Sequence, residues 1–538
     1  MPFTRRDLVS IALILLLAAA WKGMFLLLDV IPFNADEAVV ALMARHILMG
    51  ERPVFFYGQA YMGSLDAFLA AGGFLIFGQQ VWVLRLVQSI LYLGTVLTTI
   101  FIGREGLGSL KLGLLAGLFL AVPTVNVALY TTATLGGYGE ALLIGNLLLL
   151  IALRVNHRST EAGTPSPSWG WYLAWGILAG LGLWANGLSL VYSLPSGIFL
   201  LWTVGKNRPA VLSRSLVLAG VGFLLGSLPW WWYAAANGIS ALIAELLGTA
   251  VAVEKSSWLV RTGMHLVSFL LLGLSVTFGF RPPWNVNWLA LPLAPLVGAY
   301  WVGALVFFWR MLRRGSPARP AWVLLAGVVG TLLAGFLFTP FGADPSGRYF
   351  VPLAVPLALA AAAMILHISR RAWHTAALVA LVLAFQAWGT LQAARAYPPG
   401  LTTQFYEPTV IDHRADADLI AFLKARGETR GYTNYWTAYP LAFLSAEELI
   451  FIPRLPYHLD LRYTPRDDRY APYTELVKGS PRAAYITTRN PALDTYLREA
   501  FSERALTWEE KRIGDYLVYY NISDLVRPSD IGLGELRE

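Results

Sequence analysis

Long apolar runs divided by short polar segments recur from residue 8 to residue 393. As helices rising about 1.5 Å per residue, most are long enough to cross a hydrocarbon core of roughly 30 Å. They fall near 8–30, 82–102, 112–130, 141–154, 169–186, 188–204, 214–233, 288–309, 321–339, 349–368 and 373–393, which predicts eleven crossings. Two apolar stretches are left over. Residues 64–78 are short for a span, and one crossing at 262–280 would reverse every later loop. Both are expected to lie in outer loops as helices in the interface. A second crossing near 238–252 is the alternative that restores the parity.

The pattern changes at residue 394, where charge rises and the apolar runs shorten. The remainder reads as a helix near 414–427, a strand at GYTNY, a helix, strands at ELIFIP and AAYITT, a helix and a strand at YLVYY. Such alternation predicts a small α/β domain. The fold expected is therefore a multi-pass α-helical membrane domain, 1–393, followed by an α/β domain, 394–538.

Composition supports this division. The chain has 538 residues, of which 56% are hydrophobic and 14% charged, too apolar for a soluble protein of this length. It has no cysteine, which excludes disulfides, a thiolate nucleophile and a thiolate metal site. The net charge of +8 is unevenly placed. Residues 1–393 carry 23 Lys and Arg against 12 Asp and Glu, and residues 394–538 carry 18 against 21. The positive excess thus belongs to the membrane part and reflects topology, not nucleic-acid binding. Arg5/Arg6, Arg104/Lys111, Arg154/Arg158, Lys206/Arg208/Arg214, Arg310/Arg313/Arg314/Arg319 and Arg370/Arg371 form six basic clusters. With all six inside, the N-terminus is cytoplasmic and the C-terminal domain lies outside an inner or plasma membrane. The first apolar run, about 22 residues after a basic start, reads as a retained helix and not as a cleaved signal.

Candidate chemistry gathers in the outer loops. The first, 31–81, begins IPFNADEAVVALMARHIL and carries the adjacent acids Asp36 and Glu37. Ionised groups beside a bilayer are costly, so a pair of them points to function. They could deprotonate an acceptor hydroxyl or bind a cation. With equal weight, Asn34 or Asp36 could cap the following helix and the early acids favour its dipole. The same loop holds Tyr57, Gln59, Tyr61 and Asp66, able to bond sugar hydroxyls or phosphate oxygens, although aromatics here more often anchor at the interface. The next outer loop places Glu140 after a Gly-Gly-Tyr-Gly turn. In FTPFGADPSGRYFVPL, Arg348, followed by Tyr349, could pair with a lipid phosphate or equally with Asp344. Lys255 is a weaker phosphate candidate, and His265 a weaker metal candidate than a structural one. Tyr435, Trp436 and Tyr439 could stack on sugar rings or form core.

Taken in order, NADEAVVALMARHIL, FFYGQAYMGSLDAFLAAGGFLIFG, VWVLRLVQSILYLG, GGYGEALL, SGRYFVPL and GYTNYWTAYPLAFLSAEELIFIP resemble the GT-C membrane glycosyltransferases that use polyprenyl-phosphate sugars. Protein O-mannosyltransferases and lipid A aminoarabinose transferases belong to that group. The resemblance implies that Asp36 is the catalytic base with Glu37 its neighbour, and that Glu140 is a second acid. It implies that 64–78 is an interfacial helix. It also implies a divalent metal ion near the lipid phosphate in some relatives; Gln59 stands where some carry Glu, with Asp66 as a substitute. The partners implied are a polyprenyl-phosphate sugar, an acceptor that is glycan, lipid or protein, and membrane lipid. A polytopic lipid or solute transporter is the competing reading, predicting acids at mid-bilayer and inverted repeats. A non-catalytic scaffold is a third.

Overall fold

The computed structural model describes residues 3–160, 168–248, 257–396 and 400–534. The chain forms two compact units. The first comprises Met1–Asp29, Tyr61–Asp66 and Arg85–Arg395; the second comprises Val30–Ala60, Ala67–Leu84 and Ala396–Glu538. One boundary between the units falls after Arg395, and much of the first outer loop groups with the C-terminal segment.

This is a multi-pass membrane protein. Among the described residues, ten helices are long and apolar enough to cross a membrane. Nine match expected spans, and two further expected spans appear differently. Trp169–Ala185 is helical but only 17 residues long. The run 112–130 breaks into Leu110–Ala121 and Val125–Tyr130. Pro123 explains the break, because the residue before a proline is driven out of the helical region, and Val122 sits at φ −124°, ψ 77°. The stretch 262–280, expected to lie along the interface, falls largely in a 20-residue helix, Trp258–Thr277, that has the length and composition of a span. Ile239–Gly248 forms a further short helix before it. The other leftover stretch is the short apolar helix Leu65–Phe77.

Packing within the first unit uses small residues. Gly176 and Gly180 on Trp169–Ala185 face Gly222 and Gly226 on Leu212–Gly226. A Cβ at any of the four would lie 2.1–2.3 Å from a carbonyl oxygen of the opposite helix. Such paired small-xxx-small faces let helix backbones touch where lipid offers no hydrophobic drive to associate. Lys22 is buried in the first helix, where its ammonium bonds the Thr131 carbonyl and the Thr131 and Thr132 hydroxyls at 2.7–2.9 Å. Those bonds are what make a charge tolerable there.

The second unit is built on a five-stranded sheet. After the short strands β1 (Phe55–Phe56) and β2 (Gln59–Gly63) come β3 (Arg430–Thr433), β4 (Ile450–Pro453), β5 (Ala484–Thr488), β6 (Glu509–Ile513) and β7 (Tyr516–Tyr520). The sheet order is β4-β3-β5-β7-β6, with β4, β3 and β5 parallel and β7 and β6 antiparallel to their neighbours. Strands β4, β5 and β7 are buried throughout, as strands covered on both faces must be. Leu419, Leu423, Leu441, Phe451, Ile486 and Val518 are central to the core. Edge strand β6, EEKRI, is exposed and charged, which discourages pairing with another chain.

Candidate functional site

Asp36 lies in the second unit, near the start of the helix Ala35–Leu48. Asn34 caps that helix, its Oδ1 accepting from the Glu37 N–H at 3.1 Å. Capping therefore falls to Asn34 and leaves the Asp36 carboxylate for other partners. Its Oδ1 accepts a 2.6 Å bond from the Tyr435 hydroxyl. Its Oδ2 has no hydrogen-bond partner among the described residues, and the side chain is half-buried. Glu37 is fully buried.

Tyr435 opens the helix Tyr435–Leu444 directly after β3. Asn434 caps this helix through the Trp436 N–H and ties it to β5 through the Thr488 hydroxyl, at 2.7 Å. Tyr435 thus projects from the C-terminal ends of adjacent parallel strands, where ligand crevices form in α/β sheets. Burial, followed by the Asp36 charge, pushes the Tyr435 phenol well up, so it stays a donor. The Arg469 guanidinium lies over the Tyr435 ring, 5.3 Å from its centroid. Arg469 also donates to the Gly58 carbonyl at 3.1 Å. With the Gln59 amide turned to accept, its oxygen takes bonds from both Arg469 Nη atoms at 2.9 and 3.0 Å. Burial lifts the neighbouring Asp467 to about 7, opposed by the Arg469 charge.

A second set of bonds clamps the same two helices further along. Arg45 donates to the Phe443 carbonyl at 3.1 Å, and His46 Nε2 meets Glu447 Oε1 at 3.0 Å. The Tyr473 hydroxyl donates to that oxygen at 2.7 Å. Burial acts to raise Glu447, but the His46 and Tyr473 bonds and the His46 and Arg45 charges outweigh it and hold it at about 2. Tyr57 joins this set by donating to Glu51 at 2.6 Å and meeting His46 Nδ1 at 3.1 Å.

The remaining acids belong to the first unit. Gln88 Nε2 donates to Asp66 Oδ1 at 2.9 Å and to Glu140 Oε1 at 3.0 Å. Asp66 Oδ2 accepts from the Gly136 and Gly137 N–H groups at 3.0 and 3.2 Å. Both glycines have positive φ, +87° and +95°, so the Gly-Gly turn aims successive N–H groups at one anion. Asp66 and Glu140 are each 2% exposed. Burial raises Asp66, and the Gly136 and Gly137 N–H groups pull it back.

Of the other expected residues, Arg348 pairs with Asp344, Nε to Oδ2 at 2.6 Å. Tyr349 is buried, edge-on to Phe341. His265 is buried with Nδ1 on the Leu337 carbonyl at 3.0 Å. Lys255 lies outside the described residues, as does the Tyr61 side chain. The described residues include no group of three or more His, Asp or Glu side chains that could hold a metal ion. Asp66 and His265 sit in separate surroundings, each bonded to backbone, so the donor set present does not fit a divalent site.

Residues 64–233 match the family described as dolichyl-phosphate-mannose-protein mannosyltransferase, about a third of the chain. No curated protein matches in sequence. Among solved structures, ArnT from Cupriavidus metallidurans bound to undecaprenyl phosphate superposes with a TM-score of 0.61 at 15% identity, covering 96% of this chain and 99% of that one. The chain has an ArnT-like membrane fold. The apo Archaeoglobus fulgidus oligosaccharyltransferase shares it, with a TM-score of 0.52 and 11% identity over 96% of this chain and 74% of that one. The same enzyme in complex with Zn and sulfate gives 0.50 and 13% over 95% and 73%.

Arg469 and the bond from Tyr435 to Asp36 were not evident from sequence. Asp36 and Tyr435 are 399 positions apart, and Arg469 stands in an unremarkable charged run, PRDDRY. The nearest signal was the aromatic sequence NYWTAY.

Proposed function

We propose that the protein transfers a sugar from a polyprenyl-phosphate donor to an acceptor hydroxyl at the outer face of the membrane, with inversion. The ArnT-like fold supports the donor class, and the observation that carries the reading is Asp36. One oxygen is anchored by Tyr435 and the other has no hydrogen-bond partner among the described residues, as suits a general base. In this reading Oδ2 of Asp36 takes the proton of the acceptor hydroxyl as that oxygen attacks the anomeric carbon. The bond from that carbon to the phosphate oxygen breaks, and the lipid phosphate leaves as an anion that needs no strong general acid. The proton then passes from Asp36 to water.

Tyr435 orients the carboxylate and Arg469 places a positive charge in the same cluster. Arg348 remains a candidate for the lipid phosphate, which would have to compete with Asp344 for it. Asp66, bonded to Gln88 and to the Gly136 and Gly137 N–H groups, serves in this reading to hold that turn, with Glu140 sharing the Gln88 amide. The N-terminus is proposed to be cytoplasmic and the C-terminal segment extracytoplasmic, in accord with the basic clusters.

Liposomes holding the purified protein and a panel of radiolabelled polyprenyl-phosphate sugars test this. Consumption of one donor by wild type, and not by Asp36→Asn, is expected. Passage of labelled lipid across the bilayer by both proteins, with no donor consumed, would overturn the reading in favour of transport.

A further inference from the structure

The first unit carries a groove of about 680 Å³ between the helices Leu190–Asn207 and Arg319–Phe338. These helices touch at Pro195 and Gly327, where a Cβ on the glycine would lie 2.8 Å from the proline Cβ. Beyond that contact they part, and the groove runs along Ile198, Trp202 and Val323 toward Ser316 and Arg319. Ile198, Trp202 and Val323 are 59%, 55% and 47% exposed, apolar surface suited to hydrocarbon.

The open end is basic on both sides. Lys206 lies over the Trp202 ring at 5.3 Å, and Arg319 is exposed, using Nε to bond the Leu312 carbonyl at 3.0 Å. Arg310 and Arg313 lie in the last turn of the preceding helix, Ala294–Arg313, with Arg314 after it, and none of these five cations has a carboxylate partner among the described residues. Asp344 and Arg348 follow the far end of Arg319–Phe338, about 30 Å away along its 20 residues.

An apolar slot between membrane helices that ends in unpaired cations is matched by one acyl chain with an anionic headgroup. We propose that this groove binds an anionic bilayer phospholipid, its chain between the two helices and its phosphate at Lys206 and Arg319. Its distance from Arg348 within the unit separates it from the proposed donor phosphate. The inference goes beyond the transfer reaction and does not depend on it.

Native mass spectrometry of the detergent-solubilised full chain tests it, with phosphatidylglycerol and phosphatidylcholine of identical chains as probes. Wild type should retain one phosphatidylglycerol at concentrations at least tenfold below those needed for phosphatidylcholine. Lys206→Gln with Arg319→Gln should remove that preference, since each interfacial cation is worth roughly fivefold in binding. Val323→Trp, which fills the slot and leaves the cations, should weaken retention as well. Both variants change exposed positions, and an unchanged gel-filtration profile checks their folding. Equal retention of the two lipids by wild type would overturn the proposal. So would undiminished phosphatidylglycerol binding by both variants, or displacement of phosphatidylglycerol by equimolar polyprenyl phosphate.

Discussion

Two acidic clusters, one in each unit, show how differently a buried carboxylate can be used. Asp66 and Glu140 are sealed: a shared glutamine bridges them, and two backbone N–H groups complete Asp66. Asp36 is half-open, with one oxygen held by a tyrosine and the other without a partner among the described residues. Asp66 has both oxygens bonded and holds the turn, Glu140 is buried beside it on the shared amide, and in the proposed reading Asp36 keeps an oxygen for a substrate. Proximity to the membrane surface suggested both clusters as sites, but partner geometry separates them.

The comparison breaks most sharply at Asp36. Asp36→Asn should lower turnover by about 10²–10⁴ with little change in thermal midpoint, because general-base assistance is lost while the amide oxygen can still accept from Tyr435. Gln88→Leu should do the reverse. Leaving two buried carboxylates without their shared donor should cost about 2–4 kcal/mol of stability, read as a lower midpoint in detergent, with turnover per folded molecule preserved.

The Glu447 clamp gives a pH signature. Its carboxyl falls from an ordinary 4.5 to about 2 in the fold, so its contribution is complete above 4.5 and lost as pH falls toward 2. That contribution is at most about 3 kcal/mol. Glu447→Gln should therefore be less stable than wild type at neutral pH, and the gap should close on acidification. Asp467 acts oppositely. Its carboxyl rises from 3.8 to about 7, so its contribution is full below 3.8 and is lost as pH rises from there to 7. Asp467→Asn should gain on wild type at pH 8, measured as a higher midpoint. The smallest effect is expected from Tyr435→Phe, about tenfold in turnover, since a hydrogen bond to a charged group is worth roughly 1.5–3 kcal/mol and water can partly replace it.

Much of the membrane part could be read in advance, because hydropathy reports helices of span length directly. Hydropathy does not register the break at Pro123, where the apolar run continues but the backbone cannot, and at 262–280 it reports a helix of span length whatever its orientation to the membrane. The four glycines joining Trp169–Ala185 to Leu212–Gly226 carried a legible small-xxx-small spacing that hydropathy alone does not register. In the sheet, β7 and β5 stood out as apolar runs, while β6 did not, since an exposed charged edge has no apolar period. Asp36 was visible through its motif. Its setting was not: Tyr435 and Arg469 reach it through folding of distant segments, and local pattern carries no such pairing.

The most direct test of the contrast compares Asp36→Asn and Asp66→Asn side by side, measuring donor-dependent turnover and thermal midpoint on the same preparations. The account predicts that Asp36→Asn is silent with a wild-type midpoint, while Asp66→Asn unfolds earlier but turns over when folded. Turnover within tenfold of wild type in Asp36→Asn would contradict it.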